Sequence, residues 1–390
     1  MDPETAGAGV GARAGKQAVL ISVLMPVYNT SETFLQEAIE SVLDQTFDGW
    51  ELVIVDDGSA RQHVRGVLDR AAEKDSRVKV LYQEVNRGIV SASNAGLAVC
   101  EGQFVAFLDH DDSLQPAALQ ACADVIAADE EVDFIYTDED RLDSSSEHVS
   151  VFLKPDWSPE RLRSQMYVGH LSVFRWDLVT QVGGFRVGFD GSQDYDLALR
   201  VSEVARHIVH IPAVLYHWRL TEGSVSMEAD PSVFEAARKA IGDHIQRIGM
   251  RGWVEQIRPE GVYRVHREVN GTPLVSIIIP TRGSQGIVHG ENRVFVLAAV
   301  RSLLDVSTYK NFEVVVVADR PMEMAIAQEL KDMLGPRLTL IWFDRPFNYA
   351  HKMNLGVSQA RGEYVLLLND DVTVKSPDWI EVLLGISQQK

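Results

Sequence analysis

Short apolar runs alternate with amphipathic segments along most of the chain. From residue 18, "AVLISVLMPVYN" predicts a strand, "TFLQEAIESVLDQT" a helix and "WELVIVDDGS" a second strand. In the predicted helix Phe34, Leu35, Ala38, Ile39, Val42 and Leu43 recur three and four apart and form one apolar stripe. "RVKVLYQE" then predicts a strand, "GIVSASNAGLAVC" a helix and "QFVAFLDHDD" a strand. Such alternation implies an α/β fold of parallel strands flanked by helices, with ligands bound at the carboxyl ends of the strands. Asp56 and Asp57 fall at one such end, and Asp109, Asp111 and Asp112 with His110 at another.

The opening pattern returns after residue 272. "LVSIIIPTR" echoes "LISVLMPVY", "NFEVVVVADRP" echoes "GWELVIVDDGS", and "NYAHKMNLGVSQARGEYVLLLNDDV" echoes "GIVSASNAGLAVCEGQFVAFLDHDD". Pro26 matches Pro280, Asp57 matches Asp319, Asn94 matches Asn354 and Asp111 matches Asp371, at offsets of 254 to 262 residues. A period that long means two homologous domains rather than a solenoid. The expected organisation is a flexible leader at 1–17, a first domain at 18–227, a helical or irregular linker at 228–272, and a second, C-terminally incomplete copy at 273–390.

Composition narrows the function. With 390 residues, 46% of them hydrophobic, the chain can bury two cores. A formal net charge of -19 argues against a nucleic-acid partner and against simple adhesion to an anionic membrane. An anionic substrate would need local compensation, such as a metal ion. Cys100 and Cys122 are too few for a disulfide framework and fit buried free thiols of a reducing cytoplasm. No stretch reaches the roughly 18 apolar residues of a membrane span.

"PVYN" after the first strand, "VDDGS" after the second, "NRG" with "SNAG" before the third, the DxD-type "DHDD" and "GSQDYDLALR" follow one another in order. In that order and spacing they resemble the family-2 glycosyltransferases, inverting enzymes of the GT-A fold that use nucleotide-activated sugars. The resemblance covers about residues 20–226 and part of 273–390. It implies a GT-A, Rossmann-like mixed sheet flanked by helices, followed by the truncated copy. It also implies a divalent cation, Mg or Mn, because the departing nucleoside diphosphate gathers negative charge that a hard cation neutralises.

By that resemblance Asp111 holds the metal, and Asp109 lies near the metal or the donor ribose. Asp112 reads as a helix cap. Pro26, Tyr28 and Asp57 would hold the nucleoside, Tyr28 by stacking and Asp57 by accepting a ring imino hydrogen; a turn and helix cap at Asp57-Gly58-Ser59 fits equally. Arg87 and Asn94 are candidates for touching the donor, or ordinary surface residues. Asp194 matches the catalytic base that takes the acceptor hydroxyl proton, with Gln193 where Glu is commoner. Asp196 is the runner-up, or an early helix carboxylate favoured by the dipole. His217 could reach the metal or diphosphate, and Arg219 could grip a phosphate. Trp157, Tyr167 and His170 could pack against an acceptor sugar or fill the core.

In the second copy Asp319 and Asp371 keep the acids and Asn369 replaces Asp109, but no base motif follows, so this copy is expected to be inert. The expected partners are a nucleotide-sugar donor and an oligosaccharide or lipid-linked acceptor of bacterial surface polysaccharide synthesis. The expected location is the cytoplasm, with peripheral association to membrane assembly machinery at the inner face. The competing readings are a non-catalytic nucleotide-sugar-binding or scaffold module, and a dinucleotide-dependent oxidoreductase. The latter lacks a Gly-rich phosphate loop after the first strand.

Overall fold

The computed structural model describes residues 19–143, 145–220, 231–258, 261–288, 290–320 and 322–389. The expected leader at 1–17 lies outside them, as do 221–230. The chain divides into two compact units, Met1–Val265 and His266–Lys390.

The first unit runs β1 (Ile21–Val27), α1 (Glu32–Leu43), β2 (Trp50–Asp56), α2 (Gln62–Lys74), β3 (Val78–Tyr82), α3 (Ile89–Leu97) and β4 (Phe104–Phe107). β5 (Ser113–Leu114), α4 (Ala118–Ala128), β6 (Val132–Leu142), β7 (His148–Phe152), α5 (Pro159–Leu162), β8 (Ser172–Arg175) and α6 (Trp176–Gln181) follow. α7 (Gln193–Ser202), β9 (His207–Arg219), α8 (Pro231–Arg247), β10 (Gly252–Arg258) and β11 (Val262–Arg267) complete the series.

Its main sheet has the order β3-β2-β1-β4-β8-β6-β9-β5, with β7 added to β6. β3, β2, β1 and β4 are parallel, whereas β8 is antiparallel to both β4 and β6. Every residue of β2 is buried, as expected of a central parallel strand covered on both faces. Helix α1 starts where Ser31 Oγ accepts the Phe34 amide, and it buries Leu35, Ala38, Ile39 and Val42. α3 approaches the sheet through Gly96, where an added Cβ would stand 2.2 Å from Leu24 Cδ1. Cys122 is buried, Cys100 is partly so, and both are free thiols that burial pushes up to about 12.

The stretch expected to be a linker is largely part of this unit. α8 buries Ala236, Ala237, Ala240, Ile241 and Ile245 in the same core as Tyr195, Leu199 and Val201 of α7. β10 and β11 pair with each other, and Val254 and Tyr263 enter that core.

The second unit contains β12 (Val275–Thr281), a β13 (Gln285–Val288) and β14 (Glu291–Val294) hairpin, α9 (Phe295–Val306), β15 (Phe312–Asp319) and α10 (Met324–Leu334). It continues through β16 (Leu338–Phe343), α11 (Tyr349–Val357), β17 (Tyr364–Leu367) and α12 (Trp379–Ser387). Its parallel sheet β16-β15-β12-β17 repeats the order β3-β2-β1-β4. Among the described residues no helix is long and apolar enough to cross a membrane.

Candidate active site

The parallel strands of the first unit end at a cleft of about 1240 Å³. Backbone-to-side-chain bonds set the loops around it. Asn29, at φ 50°, donates its amide to Ser59 Oγ and accepts from the amides of Ala60 and Arg61. Asp57, buried, accepts the Arg87 amide at 2.9 Å and the Gly88 amide at 2.8 Å, one on each carboxylate oxygen. Between these anchors Gly58, at φ 70°, lies so near the next loop that a Cβ would stand 2.7 Å from the Val85 carbonyl carbon. Pro26, Tyr28, Asp57 and Arg61 all line the cleft, with Tyr28 exposed.

The acidic run leaves β4 and splits in direction. Asp109, His110 and Asp111 line the cleft, whereas Asp112 turns inward. Asp112 accepts the Tyr216 hydroxyl at 2.5 Å and the Arg219 amide at 2.7 Å. It caps no helix: α4 begins after Ala117 without a side-chain cap. Burial, then Asp109 and Asp111, push its carboxyl well above the ordinary range. His110 Nδ1 is 3.6 Å from Asp111 Oδ1 and, although buried, finds no hydrogen-bond partner among the described residues. Two cleft-facing carboxylates at one strand end fit a hard divalent cation, which takes oxygen ligands.

Gln193 and Asp194, in the first turn of α7, line the same cleft. Asp194 accepts the Tyr195 amide at 2.8 Å. Burial raises its carboxyl, His170 opposes that shift, and Asp109 adds to it. His170 therefore stands electrostatically between the two acids, with its Nε2 3.6 Å from Asp109 Oδ2 and its ring stacked on Tyr216. Its Nδ1 and Gln193 Oε1 are buried without hydrogen-bond partners among the described residues, so the wall presents unsatisfied polar atoms. Glu139 accepts the His170 amide at 3.0 Å and Lys154 Nζ at 2.9 Å. Lys154, fully buried, also holds the carbonyls of Val168 and His170.

Residues 22–182 and 276–389 match the family described as Glycosyl transferase family 2, together well over half of the chain. The chain belongs to glycosyltransferase family 2. It is 40% identical over 377 residues to an uncharacterized protein, y4gI, of Sinorhizobium fredii, covering 95% of this chain and 41% of that one. It is 39% identical over 374 residues to O-antigen biosynthesis protein RfbC of Myxococcus xanthus, covering 95% of this chain and 28% of the other. A chondroitin synthase of Escherichia coli is 31% identical over 240 residues, or 60% of this chain and 34% of the synthase. The chain thus spans well under half the length of each of these relatives.

Within this family 2 chain the cleft gathers Pro26, Tyr28, Asp57, Asp109, Asp111, His170 and Asp194. Other candidates lie elsewhere. Asn94 clamps Phe185, donating to its carbonyl and accepting its amide at 2.9 Å each. Arg87 is exposed and does not line the cleft, although its amide anchors Asp57. Arg219, 2% exposed, donates to Asp111 O, Ser146 Oγ and Glu37 Oε2 and lies over the Phe34 ring. It braces the acidic loop from behind, where a phosphate has no access. His217 sits outside the cleft beside Asp140. Trp157 and Tyr167 pack in the core. Asp196 is fully buried between Arg186 and Arg200.

Glu139, Lys154, Arg61, Arg141 and Trp218 had not been singled out from the sequence. Arg61, Arg141, Glu139 and Trp218 line the cleft, and Arg141 lies over the Trp218 ring. Glu139 and Arg141 left one signal, as charges interrupting the apolar pattern of β6, and Trp218 lies between the candidates His217 and Arg219; Arg61 and Lys154 left none.

In the second unit Asp319 accepts Lys352 Nζ at 2.9 Å, and that ammonium, fully buried, also holds the Thr281 carbonyl. Asp370 accepts Thr281 Oγ1 at 2.6 Å, and burial raises its carboxyl. Asn369 accepts the Tyr349 hydroxyl at 3.3 Å.

Proposed function

We propose that the first unit transfers a sugar, with inversion, from a nucleotide-sugar donor to a saccharide or lipid-linked acceptor in the synthesis of a bacterial surface polysaccharide. The observation that carries this reading is that acids from separate segments, Asp57, Asp109 with Asp111, and Asp194, face one cleft at the strand ends. The relatives named for O-antigen biosynthesis and chondroitin synthesis support the substrate class. Work at the inner face of the membrane, in peripheral association with assembly machinery, belongs to the same proposal.

In this mechanism Tyr28 offers its exposed ring to the base, and the loop pinned by Asp57 shapes the nucleoside site. Asp109 and Asp111 would hold a divalent cation, which when bound neutralises the charge growing on the departing diphosphate. Arg61 and Arg141 add positive charge to the cleft of an otherwise acidic chain. Asp194 removes the acceptor hydroxyl proton while that oxygen attacks the anomeric carbon from the side opposite the diphosphate. One C–O bond forms as the other breaks, and the proton ends on the Asp194 carboxylate. A raised carboxyl pKa makes Asp194 a stronger base, and His170 opposes the rise and favours its ionised form. His170, held through Glu139 and Lys154, positions the two acids relative to each other.

In this reading transfer belongs to the first unit, because in the second the buried Lys352 ammonium already occupies Asp319, the counterpart of Asp57. The test is release of nucleotide from UDP-, GDP-, dTDP- and CMP-sugars with Mg or Mn. Cleavage of at least one donor, lost in Asp111→Ala, is the expected result. Tight nucleotide binding with no cleavage of any donor, with or without saccharide acceptors, would leave the chain a binding module and overturn the reading.

A further inference from the structure

A second set of metal-ligating side chains meets outside the cleft. Asp140 on β6, His148 on β7 and His217 on β9 bring one ligand atom each to within 4.8 Å of one another. Strand register makes the meeting. Asp140 and His217 are direct partners across the parallel β6–β9 ladder. The β6–β7 ribbon shifts register between Arg141 and Leu142, which puts His148 opposite Leu142. Side chains alternate across a strand, and Glu139, Arg141 and Trp218 line the cleft. Asp140 and His217 therefore project to the other side of the same two strands.

Both imidazoles approach the carboxylate, each Nδ1 lying 2.6 Å from a different Asp140 oxygen, with the rings 4.8 Å apart at 80°. Asp140 is 7% exposed, His217 13% and His148 57%. Two ligands are thus built into the sheet, and the third closes over them from a fringe strand open to solvent.

We propose that Asp140, His148 and His217 form a binding site for a zinc-class divalent ion, separate from the hard-cation site at Asp109 and Asp111. Imidazole nitrogen favours Zn, Cu and Ni, whereas Mg and Mn favour all-oxygen sets. Zinc takes His nitrogen at about 2.0–2.1 Å and Asp oxygen at about 2.0–2.2 Å, with tetrahedral ligands roughly 3.3 Å apart. Both 2.6 Å contacts would open by about 0.7 Å to admit it, the one to His148 by rotation of that exposed ring and the one to His217 by a small shift of the Asp140 and His217 side chains. Solvent on that side supplies the fourth ligand. The ion would tie β7, which pairs only with β6 among the described strands, to the pair of strands that carries Glu139, Arg141 and Trp218. The inference does not rest on the transferase reading, because its readout is binding.

Isothermal titration of the tag-free full chain with zinc chloride, in excess magnesium, tests it. Wild type and Asp111→Ala are expected to take up one equivalent of zinc. His148→Ala, at an exposed position that leaves the core intact, is expected to bind at least tenfold more weakly. Cobalt titrated in place of zinc should give a visible absorption band in wild type that His148→Ala loses. No zinc uptake by wild type, equal affinity in His148→Ala, or loss of zinc binding in Asp111→Ala would each overturn the proposal.

Discussion

Asp194 and Asp196 stand two residues apart at the start of α7, and one isosteric change at each should separate chemistry from stability. Asp196 is fully buried. Its carboxylate takes bonds from Arg186 and, at 2.8 Å, from Arg200 Nε, and Arg200 in turn holds the carbonyls of Val182 and Gly184. Asp196→Asn keeps the volume but turns an amide NH2 toward guanidinium donors and leaves the buried Arg200 charge unneutralised. Breaking a buried ion pair from one side costs roughly 3–5 kcal/mol. Arg186 is a third exposed and keeps Asp243 at 2.9 Å, so the lower end, about 3 kcal/mol, is expected. With a urea m-value of roughly 2–3 kcal/mol/M, the midpoint of the first unit should fall by about 1–1.5 M.

Asp194→Asn behaves oppositely. An Asn oxygen can still accept the Tyr195 amide, and the change removes a charge that burial disfavours, so stability should stay within about 1 kcal/mol. Turnover should fall on the order of 10² to 10⁴. Circular dichroism in urea and nucleotide release read the two effects. If Asp196→Asn abolished turnover at an unchanged midpoint while Asp194→Asn unfolded the unit, the assignment of the base would be wrong.

Since burial raises Asp194, the acid limb of kcat should lie above the ordinary aspartate value of about 3.9. The base works deprotonated, so the rate should rise with pH along that limb, and a limb at or below 3.9 would remove Asp194 as its source. Excess EDTA should abolish donor cleavage, and Asp111→Ala should stay inactive when metal is restored; full activity with chelator would refute metal dependence. Asp371→Ala should leave activity within about twofold, because independent sites couple weakly; a loss as large as that of Asp111→Ala would mean that both units serve one reaction. Burial opposes ionisation of Asp133, yet Arg206 and Arg175 hold its carboxyl down to about 2. That stabilisation is complete above about 3.9 and is lost as pH falls through 2. Urea midpoints of wild type and Asp133→Asn should therefore converge across that interval, and a gap that did not narrow would show that the arginines do not stabilise the charge.

The parallel core was legible because burial on both faces leaves β1 and β2 as near-continuous apolar runs, and because the α1 stripe keeps a helical period. β6 was not. Its "VDFIYTDEDRL" carries acids where a strand reading wants apolar residues, and each finds its partner outside the strand: Asp133 in Arg175 and Arg206, Asp138 in His210, Glu139 in Lys154, Asp140 in His148 and His217. α8 looked like linker because its charges hide a narrow Ala-rich face that packs with α7. At the site, motif spacing located the strand ends but not the directions of individual side chains. Asn94 and Arg219 sit beside binding motifs and have the right chemistry, yet both bind their own chain. Their partners, Phe185 and Glu37, lie 91 and 182 residues away.

Comparison of the two units separates the residues that build the repeat from those that could give it a function. Ser22 donates to Glu51 at 2.6 Å and accepts the Gly102 amide at 2.9 Å; Ser276 donates to Glu313 at 2.6 Å and accepts the Gly362 amide at 2.8 Å. Gly96 and Gly356 make the same close approach to Leu24 and Ile278. These buried bonds and contacts hold the strand ends of both sheets, so each unit needs them to fold whatever it binds. The acids at the strand ends diverge. Asp57 accepts backbone amides and borders an open cleft, whereas Asp319 is the counter-charge of buried Lys352, which stands where the first unit has Ala92. A nucleoside imino group reaching Asp319 would have to displace an ammonium that has no water to turn to, at the cost of a buried unpaired charge. Retention of an acid in a motif is therefore weak grounds for retention of its role: what decides is whether a neighbour supplies the partner that the ligand would otherwise be.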